Sequence, residues 1–265
     1  MRFRNWTLIT GAGLAGFAFL TTGCGGSSGG GGGQKDPQIM FVNACADGSV
    51  KFFYNDEDKS GTLAYKQSTK GFLTVPFEEK DPQFEEVSVE EPNRSTVYDT
   101  QDQTFLRDSS TIVVGIGTKN PSDTELVKRL KMIFLSPDRR VPNASQSRLI
   151  FLHAFNRKSP FSTPILVLKT VGDTPIFQSP DTPYGRNNAI DIDSGTYKFY
   201  GNGDSRNNYL EAKDPNNDQV YAENKNPSRP AVFKPGKVYL VMAAGVEAAD
   251  SRPGELVIVE VPTEE

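Results

Sequence analysis

The chain reads as an all-β protein made of two tandem sandwiches behind an export signal and a flexible tether. Three observations carry that reading. Gly (24) and Pro (18) are abundant and Phe (17) and Tyr (9) dominate the aromatics, a composition of short strands joined by turns. The stretch Ser147 to Phe155 is apolar enough to be a buried strand, and Gln38 to Cys45 echoes it: a polar start, four apolar residues, a polar residue, then alanine. Each copy holds about seven short strands, its opening included, at roughly 8–12-residue spacing, the sequence picture of an immunoglobulin-like sandwich.

A length of 265 residues suits one large or two ordinary domains, and 36% hydrophobic residues can fill their cores. A single large sandwich or barrel is the alternative to two copies. The formal charge of −4, with no large cluster of Lys and Arg, argues against a nucleic-acid partner, which needs a basic patch.

The amino terminus has the layout of a secretory signal. Arg2 and Arg4 form a positive start, Thr7 to Thr22 is an uncharged core rich in Gly and Ala, and Leu20-Thr21-Thr22-Gly23-Cys24 closes it. The close resembles a bacterial lipobox, with Thr21 where leucine is usual. That resemblance implies cleavage between Gly23 and Cys24 and lipidation of Cys24; an ordinary signal peptide or a membrane anchor is the alternative. The apolar run is short for a span of about 20 residues. A diacylglycerol plus an amide-linked chain exceeds the two signals that stable anchoring requires. Residues 24–37 then form a Gly/Ser-rich tether that cannot pack a core. Resemblance to Gram-negative lipoproteins, with no Asp after Cys24, implies the outer membrane. Cleavage would remove Trp6, Arg2 and Arg4, taking the formal charge to −6, and would leave Cys45 as a lone cysteine with no disulfide partner.

The first sandwich is expected over 38–138. Its strands are Ile39 to Val42, Val50 to Tyr54, Leu63 to Tyr65, Gly71 to Val75, Phe84 to Val89, Thr111 to Gly117 and Leu130 to Leu135, with Asn55 to Gly61 as a turn. Ser122-Asp123-Thr124-Glu125 has capping-box spacing, so one helical turn before the closing strand competes with a plain turn. Residues 139–147 are expected to link the two sandwiches, with the hinge in the polar, proline-containing stretch from Ser136 to Gln146. The second sandwich is expected over 148–262, with strands at Leu149 to Phe155, Ile165 to Val171, Thr196 to Tyr200, Val238 to Gly245 and Glu255 to Val261. Phe233 to Gly245 matches Phe105 to Gly117 in position and character.

Leu152-His153-Ala154, Ser194-Gly195-Thr196-Tyr197 and Pro235-Gly236-Lys237-Val238-Tyr239 carry a resemblance to a bacterial domain-of-unknown-function family of tandem β-sandwich repeats in exported and lipid-anchored proteins. Its hallmark begins Val-His-Ala-Ser-Pro-Asp-Ala-Pro. Here Phe155-Asn156-Arg157 replaces Ser-Pro-Asp, and the first copy has Asn43 where His stands in the family. The resemblance implies a fold and an envelope location, and no activity.

Candidate chemistry is sparse. His153, the only histidine, is expected to be structural, its ring bonded to a neighbouring loop backbone, rather than catalytic or a metal ligand. The acids Glu78, Glu79, Asp81, Glu85, Glu86, Glu90 and Glu91 could supply a glycosidase pair, but read better as the solvated face of an edge strand. Asp-rich loops at Asp56 to Asp58, Asp191 to Asp193, Asn202 to Asp204 and Asp214 to Asp218 lack EF-hand spacing, so ordinary turn chemistry outweighs calcium. The loop region Tyr184 to Tyr221, with Tyr184, Arg206, Tyr209 and Tyr221, has the composition of a candidate partner-binding loop, against a long surface excursion packed by its own tyrosines. No catalytic residue, metal or cofactor is expected. The partners expected are the bilayer, through Cys24, and an envelope protein or glycan. The resulting expectation is a non-enzymatic envelope module for binding, adhesion or scaffolding. A periplasm-facing accessory or carrier lipoprotein is the alternative, with a carboxylate-based hydrolase a distant third.

Overall fold

The computed structural model describes residues 34–45, 47–77, 84–119, 129–140, 142–156, 165–170, 175–178, 182–199, 211–213, 220–223, 231–246 and 254–264. Gln34–Glu265 is one compact unit. The signal-like segment, the tether and the capping-box stretch at Ser122 lie outside the described residues.

The described residues hold strands and no helix, as the composition predicts. The first half contains β1 (Gln38–Asn43), β2 (Lys51–Tyr54), β3 (Glu57–Asp58), β4 (Leu73–Thr74), β5 (Glu85–Glu90), β6 (Val97–Gln103), β7 (Ser110–Ile116) and β8 (Lys131–Leu135). They form two four-stranded sheets, β4-β1-β7-β8 and β3-β2-β5-β6. The second half contains β9 (Gln146–Asn156), β10 (Ile165–Thr170), β11 (Pro175–Gln178), β12 (Asn187–Asp193), β13 (Gly195–Phe199), β14 (Glu211–Lys213), β15 (Val220–Glu223), β16 (Ala231–Phe233), β17 (Val238–Val246) and β18 (Gly254–Val261). These run as one sheet in the order β12-β9-β17-β18-β15-β14-β10-β13-β16, with β11 on β10.

Three strands of each half repeat one another down to the register. Strand β1 runs parallel to β7 with Gln38 opposite Ser110 and Asn43 opposite Gly115. Strand β9 runs parallel to β17 with Arg148 opposite Val238 and His153 opposite Ala243. Each pair continues into an antiparallel closing strand, with Ile112 opposite Leu135 and Leu240 opposite Val259. The turn that enters the second strand of each pair places a residue in the left-handed region, Asp108 at φ 57° and Gly236 at φ 68°. Glycine and aspartate both tolerate that conformation.

These strands are continuously apolar because both faces of their sheets are covered. Ile39, Phe41 and Val113 pack with Phe52, Tyr54, Val87 and Val89, filling the first-half sandwich. The alternate residues Met40, Val42, Ala44, Ile112, Val114 and Ile116 pack instead against Ile150, Leu152, Ala154, Leu240, Met242, Ala244 and Val259 of the second half. On the far side of the second-half sheet, Leu149, Phe151, Tyr239 and Val241 gather with Ile192 and Phe233. Fully burying one such side chain stabilises by about 1.5–3 kcal/mol, so the central layer ties the halves together strongly.

Strand β9 begins at Gln146, inside the stretch expected to link the two halves, and described residues of the connector before it make local contacts. Asp138 pairs with Arg140 at 2.7 Å and with Arg148 at 2.8 Å. Arg139 is buried, its guanidinium over the Phe72 ring at 4.1 Å.

Several local expectations also change. Asn55 (φ 49°) and Asp56 (φ 65°) make a two-residue hairpin turn that pairs Tyr54 with Glu57, so β3 begins inside the segment expected to be only a turn. Leu63 makes a bridge to Val50, and Tyr65 belongs to the following turn rather than to a strand. Strand β5 is interior, between β2 and β6, not the edge that its acids suggest. The polar strand β6, Val-Tyr-Asp-Thr-Gln-Asp-Gln, carries no apolar alternation by which sequence reading would find it.

Strand β6 also seals an edge. Asp99 Oδ2 accepts the backbone N–H of Met132 at 2.8 Å, and Gln101 Nε2 donates to the Met132 carbonyl at 3.2 Å. Side chains thus occupy backbone groups of β8, the edge strand of its sheet. The equivalent strand β18 is covered by backbone pairing to β15, Ala222 opposite Gly254.

Candidate functional site

His153 lies on β9 and is 3% exposed. Its Nδ1 is 2.9 Å from the carbonyl of Thr182. A carbonyl only accepts, so Nδ1 carries the proton. The ring meets Tyr184 edge-on, with centroids 5.6 Å apart. The bond to a loop backbone is the one expected from sequence.

Tyr184 is packed inward. Its ring joins the core shared by the two halves, and Lys131 Nζ sits 4.8 Å from its centroid. Burial raises the phenol pKa. Gly185 beside it approaches the first half so closely that a Cβ there would meet Ile133 Cδ1 at 3.2 Å. Tyr221 lies on β15, whereas Arg206, Tyr209, Gly23 and Cys24 lie outside the described residues. The structure does not assemble the loop region into one described surface.

The other candidates are held by local partners. The Cys45 thiol donates to Asp47 Oδ1 at 2.8 Å, and burial raises its pKa far above the ordinary thiol value, so it stays protonated. Glu85 and Glu90 are buried, 4% and 5% exposed, so they are not a solvated face. Glu85 accepts from Asn55, Glu90 from Ser88 and Arg94, and Glu91 from Lys119 and Tyr98. Asp58 pairs with Lys51, and Asp191 with Arg148, which leaves them poor calcium ligands. Glu78 to Gln83 and the Asp-rich segments at 202–204 and 214–218 lie outside the described residues.

The family-like segments have structural roles. Ser147 Oγ donates to the Lys234 carbonyl at 2.7 Å and lies 2.9 Å from Ser194 Oγ, so it joins the turns entering β13 and β17. Tyr239 OH accepts the Lys234 N–H at 3.0 Å, and its ring packs on Phe233.

Sequence reading passed over a cavity of about 330 Å³ where the halves meet. Lys35, Asp36 and Gln38 line it from the entry to β1, Asp108, Ser109 and Ser110 from the turn into β7, and Arg139 from the connector, while Thr263 and Glu264 follow β18. Lys35 and Asp108 are fastened by reciprocal bonds: Lys35 N–H to Asp108 Oδ1 at 2.8 Å, and Asp108 N–H to the Lys35 carbonyl at 2.9 Å. Arg139 is the buried charge, 6% exposed. Its Nη1 donates to Gln38 Oε1 at 2.9 Å and to Ser110 Oγ at 2.7 Å. Burial lowers the guanidinium pKa and Glu264 raises it, but a group of such high intrinsic pKa stays charged. No pattern in the sequence marks Arg139, because its neighbours come from segments far apart in the chain.

The chain matches no protein-family model. It matches no curated protein. Among solved structures, the crystal structure of a candidate cell adhesion protein from Bacteroides ovatus aligns at 10% identity over 88% of this chain and 98% of that one, with a TM-score of 0.26. A likeness at that score carries no argument, and the all-β fold rests on the sheets themselves.

Proposed function

We propose that this protein is a lipid-anchored cell-envelope module that binds a partner and does no chemistry on it. The observation that carries the reading is the order of parts: a lipobox-like Leu20 to Cys24, a glycine-rich tether, then one compact body beginning at Gln34. A flexible tether suits a body that must reach a partner from the surface that anchors it. The resemblance to exported tandem-sandwich proteins supports the same setting. Lipidation at Cys24 places the module on a membrane, and the outer membrane of a Gram-negative cell fits the absence of Asp after that cysteine.

The carrier reading draws on a separate observation, the polar cavity around Arg139, which has the scale of a small-ligand site. Two measurements test the proposal. Cys24→Ala should move the protein from the membrane to the soluble fraction; retention in the membrane would sink the lipid anchor. A non-penetrating protease on intact cells, with a periplasmic protein as lysis control, should remove a surface-displayed adhesion module and spare a periplasmic carrier.

A further inference from the structure

Three arginines close together in sequence or space show what is unusual about one of them. Arg148 grips Asp191 through its Nε–Nη2 edge, at 2.7 and 2.9 Å. Arg140 grips Asp138 through the same edge, at 2.9 and 2.7 Å. That planar fork is matched in shape to a carboxylate. In Arg139 the corresponding edge is not filled by any described residue. Nε is buried without a hydrogen bond, and Glu264 Oε1 stands 3.9 Å away, within reach as a charge but too far to bond. Nη2 makes no hydrogen bond among the described residues. Leaving a buried donor of a charged group without a hydrogen bond is costly.

We propose that the Nε–Nη2 edge of Arg139 receives the carboxylate of a small ligand in the cavity, with Glu264 as the tethered group that the ligand displaces. Three features support such a ligand. The guanidinium is oriented by Gln38, Ser110 and the Phe72 ring before any ligand arrives, so little entropy is lost in aiming it. Glu264 is half exposed and free to swing away, with 49% of its side chain accessible. The rest of the lining, Asp36, Asp108 and the hydroxyls of Ser109 and Thr263, suits hydrogen-bond donors on the far side of the ligand. The ligand class is therefore a small carboxylate carrying hydroxyl or ammonium groups, as an acidic sugar or an amino acid does. This names a ligand for the proposed binding module and rests on that reading only for its setting.

The test is a calorimetric titration of the detergent-solubilised full chain with galacturonate, with glutamate, and with galactose as the uncharged counterpart. At least one carboxylate should bind saturably and galactose should not; galacturonate alone identifies the acidic-sugar source and glutamate alone the amino-acid source. Arg139→Lys keeps the charge but loses the fork, and should weaken binding tenfold or more. Glu264→Gln removes the displaced competitor and should tighten binding severalfold. No binding of either carboxylate at about 10 mM, about tenfold above the dissociation constant of a weak 1 mM site, overturns the proposal. So does affinity unchanged by Glu264→Gln, a substitution at a half-exposed position that decides the matter even if Arg139→Lys fails to fold. Fractionation of Cys24→Ala tests the anchor separately, so either reading can fail alone.

Discussion

Asn43 and His153 hold the same station in the two halves. Asn43 donates its N–H to the Gln67 carbonyl and accepts from Lys66 N–H, both at 2.8 Å; His153 donates to the Arg186 carbonyl at 3.1 Å and accepts from Gly185 N–H at 2.8 Å. Each therefore clasps a turn, Ala64 to Gln67 or Pro183 to Arg186, and each turn sets a tyrosine, Tyr65 or Tyr184, against the shared core. The side chains secure the clasp differently. Asn43 Nδ2 donates to the carbonyls of Gly48 and Leu63, whereas His153 uses Nδ1 on Thr182. His153→Ala should cost about 1–3 kcal/mol, the range for stranding a buried carbonyl, and His153→Asn should cost less. Urea unfolding of the two variants gives the comparison, and a neutral His153→Ala would refute the structural role.

The same turns make a pair of opposite backbone tests. Gly185 sits at φ 74° and Lys66 at φ 71°. Gly185→Ala adds a Cβ in the left-handed region, at about 1–2 kcal/mol, and presses on Ile133. Lys66→Gly relieves that strain but raises the entropy of the unfolded chain by about 0.4–1 kcal/mol, so it should be close to neutral. Thermal melts of both variants should show a lowered Tm for Gly185→Ala alone.

Because one core belongs to both halves, unfolding should be a single event. Leu152→Ala, a truncation at a position with no solvent exposure, should destabilise by about 2–5 kcal/mol. Calorimetry should show one transition shifting as a whole. Two transitions, only one of them moved by the substitution, would mean that the halves fold independently.

Asp99→Ala should uncover the β8 edge by releasing the Met132 N–H and disturbing Gln101, whose Nε2 also donates to Asp99 Oδ2. Open edges pair with other chains. Light scattering after size-exclusion chromatography should detect increased self-association relative to the parent, and a strictly unchanged mass distribution would argue against the sealing role.

The connector should respond to acid. The Arg140 hydrogen bond, with the charges of Arg148 and Arg140, holds the Asp138 carboxyl well below its ordinary range. A depressed folded-state pKa contributes stability that is present above the unfolded value of about 3.9 and is lost as pH falls through the folded value. The pair is partly exposed, so the contribution should stay within about 1 kcal/mol. Asp138→Asn should lower stability at neutral pH, and the difference from the parent should shrink progressively as pH falls below about 4. Equal differences at both pH values would count against the ion pair.

Much of the fold follows from residue order alone. The echo between Gln38–Cys45 and Arg148–Phe155, and that between Phe105–Gly117 and Phe233–Gly245, marks equivalent strands because pairing register depends on local side-chain pattern. His153 is legible as structural for the same reason, being a polar residue at one position of an apolar strand. Tertiary structure decided the rest. Continuous apolar strands say that both faces are covered but not by what, and only packing shows that Met40, Val42 and Val114 meet Leu152 and Leu240 instead of solvent. Strand β6 and the burial of Glu85 and Glu90 escape a linear reading, since polar residues enter a sheet when partners elsewhere in the chain satisfy them. The Arg139 cavity is the furthest from the sequence, because Gln38, Ser110, Arg139 and Glu264 become neighbours only when the two halves close on one core.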